Sequence, residues 1–178
     1  AMDIGQGDEV VVPSFTFIAS WLAVSATGAT PVPVEVNDKF LINPDNIIKA
    51  INKKTKAIIF VNYGGVPCDL DELNKLKNKH KLILIQDAAQ SLGSQFKNKD
   101  ITNYADFTIF SFQAIKHITS GDGGLLSFKD KKLLDVARRI RWFGIDRIKK
   151  QGGTWENDIK EVGYKYQMTD LGARLLLD

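Results

Sequence analysis

Along most of the chain, short apolar runs rich in Val and Ile alternate with stretches in which apolar residues recur every three or four positions. Repeated βαβ units around a largely parallel sheet produce this alternation, and it predicts an α/β fold. Residues 9–12 (Glu-Val-Val-Val) read as a first strand ended by Pro13. Phe17, Trp21 and Val24 then recur at helical spacing until Gly28 offers a stop. Residues 30–36 return as a strand. Asn43 and Pro44 suit the cap and first turn of a helix through Ala50, and residues 57–61 are apolar throughout, as a strand covered on both faces should be.

Asp69 can cap a helix whose Leu70, Leu73 and Leu76 share one face; residues 82–85 follow as a buried strand with Gln86-Asp87 as its polar end. Residues 106–112 predict another strand, and Gly121-Asp122-Gly123-Gly124 turns the chain into residues 125–128. A helix is expected over residues 131–143, with Leu134, Ala137 and Ile140 on its inner face and Gly144 as its stop. Residues 145–160, with Gly152-Gly153 and mixed charge, read as an exposed loop. Thr169 caps a last helix that is still apolar at Leu175-Leu176-Leu177 and needs a partner surface.

Length and composition narrow the function classes. The 178 residues suit one globular domain, 44% hydrophobic and 25% charged. Their 24 basic and 21 acidic residues give a formal charge of +3 and are interspersed, which disfavours a dedicated nucleic-acid or membrane-surface protein. One cysteine, Cys68, and two histidines are too few for an internal disulfide or a closed zinc site, so no metal is expected and a reducing cytoplasm fits. The longest apolar stretch, residues 15–26, is too short to span a membrane. Gly5-Gln6-Gly7 and residues 121–124 match neither a dinucleotide fingerprint nor a P-loop and read as turns. The basic clusters Lys53-Lys54-Lys56, Arg138-Arg139-Arg141 and residues 147–150 read by default as solvated faces, with contact to a nucleotide diphosphate as the alternative, strongest for the arginine-rich segment before residue 145; Cys68 and His80 read as structural.

In open α/β sheets, ligands lie beyond the carboxyl ends of the strands. Asp87 follows one predicted strand, and Lys116 lies in Phe110-Ser111-Phe112-Gln113-Ala114-Ile115-Lys116, beyond another. An acid and a lysine at one rim are compatible with a plain ion pair. They also match what pyridoxal phosphate (PLP) requires: a lysine for a Schiff base, an acid for the pyridine nitrogen, and hydroxyls or amides near the phosphate. Asp87, Gln90, Ser111 and Lys116 supply that set, while Ala88 and Ala89 let a flat ring approach the backbone.

Three segments together resemble the signature of the DegT/StrS-type nucleotide-sugar aminotransferases: Ile85-Gln86-Asp87-Ala88-Ala89-Gln90-Ser91, Phe110-Ser111-Phe112-Gln113-Ala114-Ile115-Lys116, and Gly121-Asp122-Gly123-Gly124. Residues 7–17 and 163–170 resemble the same family in the expected order, so the likeness covers nearly the whole chain. It implies the large domain of a PLP-dependent transferase of fold type I, a mainly parallel sheet flanked by helices. It also implies roles for single residues. Lys116 would hold the cofactor and shuttle the substrate proton, Asp87 would face the pyridine nitrogen, Gln90 the ring hydroxyl and Ser111 the phosphate. Phe17 matches the aromatic position that stacks on the ring, with core packing as its alternative. The implied reaction is a ping-pong transamination, with glutamate as donor and a nucleotide-linked keto-deoxysugar as acceptor, for aminosugar and surface-glycan biosynthesis. A lysine at 116 argues against the related dehydratases, which carry histidine there; the adjacent His117 reads as a packing or supporting residue.

The sequence departs from the family pattern in places. Lys165 stands where many members have an asparagine that reaches the phosphate in the neighbouring subunit of a homodimer, and Gln167 stands where arginine is common. Lysine serves as a point-charge phosphate partner with less directional precision. The expected N-terminal phosphate-binding segment and closing small domain are not among these residues, so the chain reads as the central part of the large domain, incomplete at both ends. Two readings stay open: a sugar aminotransferase represented by its central part, and a non-catalytic fragment or regulatory derivative of the same fold.

Overall fold

The computed structural model describes residues 2–148, 159 and 161–177. The chain divides into two compact units, Ile4–Lys129 and a second made of Asp130–Asp178 with Ala1–Asp3. Most of the loop expected over residues 145–160 lies outside the described residues.

The first unit is built on a six-stranded sheet. Its strands are β1 (Glu9–Pro13), β2 (Thr30–Val34), β3 (Thr55–Val61), β4 (Ile83–Asp87), β7 (Phe107–Ser111) and β8 (Gly124–Phe128), in the order β2-β1-β3-β4-β7-β8. All neighbours run parallel except β8, which returns antiparallel beside β7. Pro31 and Pro33 of β2 have no N–H to give a ladder, which suits its place at the sheet edge. A small antiparallel hairpin, β5 (Gln95–Phe96) and β6 (Lys99–Asp100), interrupts the parallel pattern and was not expected.

The crossovers carry α1 (Ala19–Ser25), α2 (Pro44–Ala50) and α3 (Leu70–His80). Asn43 and Asp69 cap α2 and α3 as the sequence predicts: their side chains accept from Asp45 N–H and Glu72 N–H. Alternation along the strands sorts the core into two layers. On one face Val10, Val12, Ala57 and Ile59 are buried with Val24 and Ala29, and Trp21, Ile83 and Ile85 pack against them. On the other, Val11, Ile58, Phe60 and Leu84 are fully buried, as are Ile47 of α2 and Leu70 and Leu73 of α3. Cys68, in the segment between β3 and α3, is buried, and its thiol donates to the Val61 carbonyl at 3.3 Å. That burial, reinforced by the Asp69 carboxylate, pushes the thiol pKa up to about 12.

The second unit contains α4 (Leu134–Arg141) and α5 (Asp170–Leu175). Thr169 caps α5, accepting from Gly172 N–H at 3.1 Å. The expected long helix is shorter, since residues 131–133 form a 3-10 turn and the helix ends before Trp142. Its expected inner face is also corrected: α4 buries no residue, and Leu134 is exposed. Gly144 and Gly163 meet so closely that a Cβ on Gly163 would lie 1.9 Å from the Gly144 nitrogen. Among the described residues no helix is long and apolar enough to cross a membrane.

Candidate active site

Three parallel strands of the first unit end at one edge. In register, Val61 of β3 pairs with Asp87 of β4, and Asp87 with Ile109 of β7, so Asn62, Asp87 and Ser111 all reach the carboxyl edge. Asp87 is the last residue of its strand rather than the one after it, because the ladder continues through Gln86, whose buried amide oxygen accepts from Thr108 at 3.3 Å. The half-buried Asp87 carboxylate takes one hydrogen bond on each oxygen. Ser20 Oγ donates to Oδ2 at 2.9 Å and Ala89 N–H donates to Oδ1 at 3.1 Å.

Gln90 lies three residues on, and its Oε1 accepts from Gly64 N–H at 2.6 Å. Gly64 and Gly65 hold φ of +61° and +82°, a conformation that presents this N–H to Gln90 and strains any other residue. With its oxygen committed, Gln90 retains its NH2 as a donor. Ser111 Oγ accepts from Gln113 N–H at 3.3 Å and keeps its own proton to give.

Lys116 sits in the loop after β7. Gln113 shapes that loop twice, accepting from Ile115 N–H through Oε1 at 3.0 Å and from Lys116 N–H through its carbonyl at 2.9 Å. Thr119 Oγ1 and Ser120 N–H both donate to the Phe112 carbonyl, closing the loop back on the strand end. Lys116 is half-buried, and among the described residues no carboxylate lies within ion-pair distance of it. The plain ion pair with Asp87 is therefore not formed. His117 is exposed, which corrects the expectation of a packing role.

Phe17 precedes α1 and is 77% exposed, so core packing is not its role here; Ser20 and Val24 form the buried side of that helix. Lys165 belongs to the second unit, where it bridges Trp142 and its Nζ lies 4.5 Å from the centre of the Trp142 ring. Arg147 lies over the same indole and donates to Gln167 Oε1 at 2.6 Å. A cavity of about 340 Å³ in this unit is lined by Arg138, Arg139, Arg141 and Arg147 and also by Asp135, Asp146 and Asp170. Glu161 takes a forked bond from Arg139, and Asp135 pairs with Arg138, so acids offset part of the charge of the arginine-rich segment.

The residues present at the first unit's edge fit PLP on three counts. An oriented carboxylate stands at a strand end, Ala88 and Ala89 leave no bulky side chain beside it, and a lysine without an acid partner lies past the adjacent strand. The structure sets Asp87, Gln90, Ser111 and Lys116 on the loops and strand ends of this edge and adds two residues the sequence did not single out, Ser20 and Gly64. Ser20 lies 67 residues from Asp87, and no local pattern announces such a contact.

Comparison with known proteins bears on the same site. A Methanocaldococcus jannaschii protein of unassigned function, MJ1066, is 38% identical over 180 residues, covering 98% of this chain and 47% of that protein. Spr1654 from Streptococcus pneumoniae, assigned as a sugar aminotransferase, superposes in its pyridoxamine phosphate (PMP) form with a TM-score of 0.90 at 34% identity, covering 99% of this chain and 50% of that one. It is also known in a PLP form. PseC from Helicobacter pylori, an aminotransferase of pseudoaminic acid biosynthesis, superposes with a TM-score of 0.87 at 28% identity, covering 97% of this chain and 45% of that one. The chain spans about half the length of each of these proteins. The family model for DegT/DnrJ/EryC1/StrS aminotransferases, enzymes that use PLP, matches residues 1–178, and the chain belongs to that family.

Proposed function

We propose that the protein is a PLP-dependent aminotransferase that carries the amino group of glutamate to a keto carbon of a nucleotide-linked deoxysugar, for aminosugars of a surface glycan. Family membership and the sugar-aminotransferase neighbours support sugar transamination. The nucleotide and the glutamate donor rest on the motif resemblance. The observation that carries the reading is the strand-end pair: Asp87, its carboxylate oriented by two donors, and Lys116, without an acid partner beyond the neighbouring strand.

Once bound, the cofactor supplies an electron sink through its protonated ring. The protein's part is positioning and proton transfer. Asp87 would hold the ring nitrogen in its protonated form. Gln90 would offer its amide N–H to the ring hydroxyl, and Ser111 Oγ–H would be a donor for the phosphate. Phe17 would serve as the aromatic cover that keeps water from the ring. Lys116 Nζ would be the amine that anchors the cofactor and, as a free base, would hold the proton moved during transfer. In a homodimer Lys165 contributes a positive charge to the phosphate of the neighbouring subunit. These residues belong to the large domain of that enzyme, working in the cytoplasm.

The test is borohydride reduction of the PLP-treated protein followed by peptide mapping, beside an assay with glutamate and a panel of nucleotide-linked keto sugars. The cofactor is expected on Lys116. A label on Lys165, or none, overturns the assignment, and the latter outcome favours the non-catalytic derivative.

A further inference from the structure

We infer that Ser20 is the residue that positions the Asp87 carboxylate toward the cofactor, with Thr16 behind it; this rests on the PLP reading above. Ser20 is 6% exposed, at the start of α1. A serine hydroxyl there commonly bonds back to a carbonyl of its own chain segment. This one reaches a carboxylate 67 residues away instead, at 2.9 Å.

The direction of the whole relay follows from counting protons. Ser20 has one hydroxyl proton and an ionised carboxylate only accepts, so that proton goes to Asp87 Oδ2. Thr16 Oγ1 lies 3.2 Å from Ser20 Oγ, and with the serine proton committed Thr16 must donate to Ser20. The order is Thr16 to Ser20 to Asp87. Ala89 N–H holds the other oxygen, Oδ1, at 3.1 Å. Two donors on two different oxygens fix the plane of the carboxylate and leave a lone pair on each for a ring N–H. Without Ser20, one bond from Ala89 leaves the group free to rotate about χ2 and Oδ2 without its donor.

The relay also joins two parts of the site. Phe17, 77% exposed, lies between Thr16 and Ser20 in sequence, so the segment presenting this ring is tied by hydroxyls to the strand end presenting the acid. A shift of α1 would move both together. The distance between the stacking ring and the acid is thereby set by three side chains rather than by sheet geometry alone.

The experiment is a double-mutant cycle in the full-length protein, read by equilibrium PLP affinity and by the pH dependence of the absorption band of the lysine-bound cofactor. Ser20→Ala is expected to weaken PLP binding about 10- to 100-fold, the scale of a hydrogen bond to a charged group, and to shift the spectral midpoint. Ser20→Thr, which keeps the hydroxyl, should restore most of both. In an Asp87→Asn background Ser20→Ala should change affinity less than about twofold, because its object is gone. Thr16→Val should move the spectral midpoint in the same direction by less, and it keeps the test in force if Ser20→Ala does not fold. Equal losses in both backgrounds, or an unmoved spectrum in Ser20→Ala and Thr16→Val, show a merely structural hydroxyl and overturn the inference. Failure of the parent protein to take up PLP overturns the functional reading itself, and with it this one.

Discussion

The first unit and the segment that follows it are held together by different physics. Between Val10 and Phe112 lie all the buried apolar side chains of the described residues, arranged on both faces of a sheet. From Asp130 onward the only buried residues described are Gly144 and Gly172. That second region relies on backbone and charge contacts. Phe143 N–H bonds to the Tyr164 carbonyl, Tyr164 N–H to Ile140, Tyr166 N–H to Arg141, and Arg139 forks onto Glu161. Its apolar side chains face outward, with Leu171, Leu175 and Leu177 at 81%, 61% and 79% exposure.

The proposed chemistry belongs to the well-buried region, so the sharpest contrast is in turnover. Lys116→Ala in the full-length protein should abolish it, by at least about a thousandfold, while PMP still binds by equilibrium dialysis. Retained turnover would move the chemistry elsewhere. In stability, Phe60→Ala in β3 should cost about 3–5 kcal/mol in urea melts, against less than about 0.5 kcal/mol for Leu171→Ala. Similar costs would mean that α5 is covered in solution. Gly163→Ala should loosen only the second region, by about 2 kcal/mol, because the new Cβ meets the Gly144 backbone; limited proteolysis should then cut beyond Asp130 while Ile4–Lys129 stays intact. A smaller effect than that of Gly163→Ala is expected for Arg139→Gln, about 1 kcal/mol on the same proteolysis and fading in high salt. A salt-independent loss would show that the Arg139–Glu161 pair is more deeply shielded than its half-buried state indicates.

The same contrast explains how much of the molecule was legible in its sequence. The parallel strands were readable because residues buried on both faces are written as unbroken apolar runs, as in residues 57–61. Asn43, Asp69 and Thr169 were readable as caps because capping is local. The hairpin at residues 95–100 was not: its two-residue strands are too short to show alternation. Its turn places Lys97 and Asn98 at φ of +51° and +60° without the glycine that usually signals such a turn. Around α4 the periodicity of Leu134, Ala137 and Ile140 was real, but an amphipathic pattern records which face wants covering and not whether the chain covers it. At the site, Asp87 and Lys116 were visible as polar residues after buried strands. Ser20 and Gly64 act across the fold, and their partners are fixed by tertiary structure alone.

Cys68 gives the first unit a built-in reporter. Its thiol is buried and its pKa is pushed up to about 12, so at neutral pH the folded protein presents almost no thiolate to an alkylating reagent. In the unfolded chain the thiol returns to its ordinary acidity and becomes reactive. The rate at which a maleimide or disulfide reagent consumes this lone cysteine therefore measures how often the sheet opens, without an introduced label. Above about pH 9 the unfolded thiol ionises while the folded one stays protonated up to about pH 12, so the same group withdraws stability from the folded state across that alkaline interval.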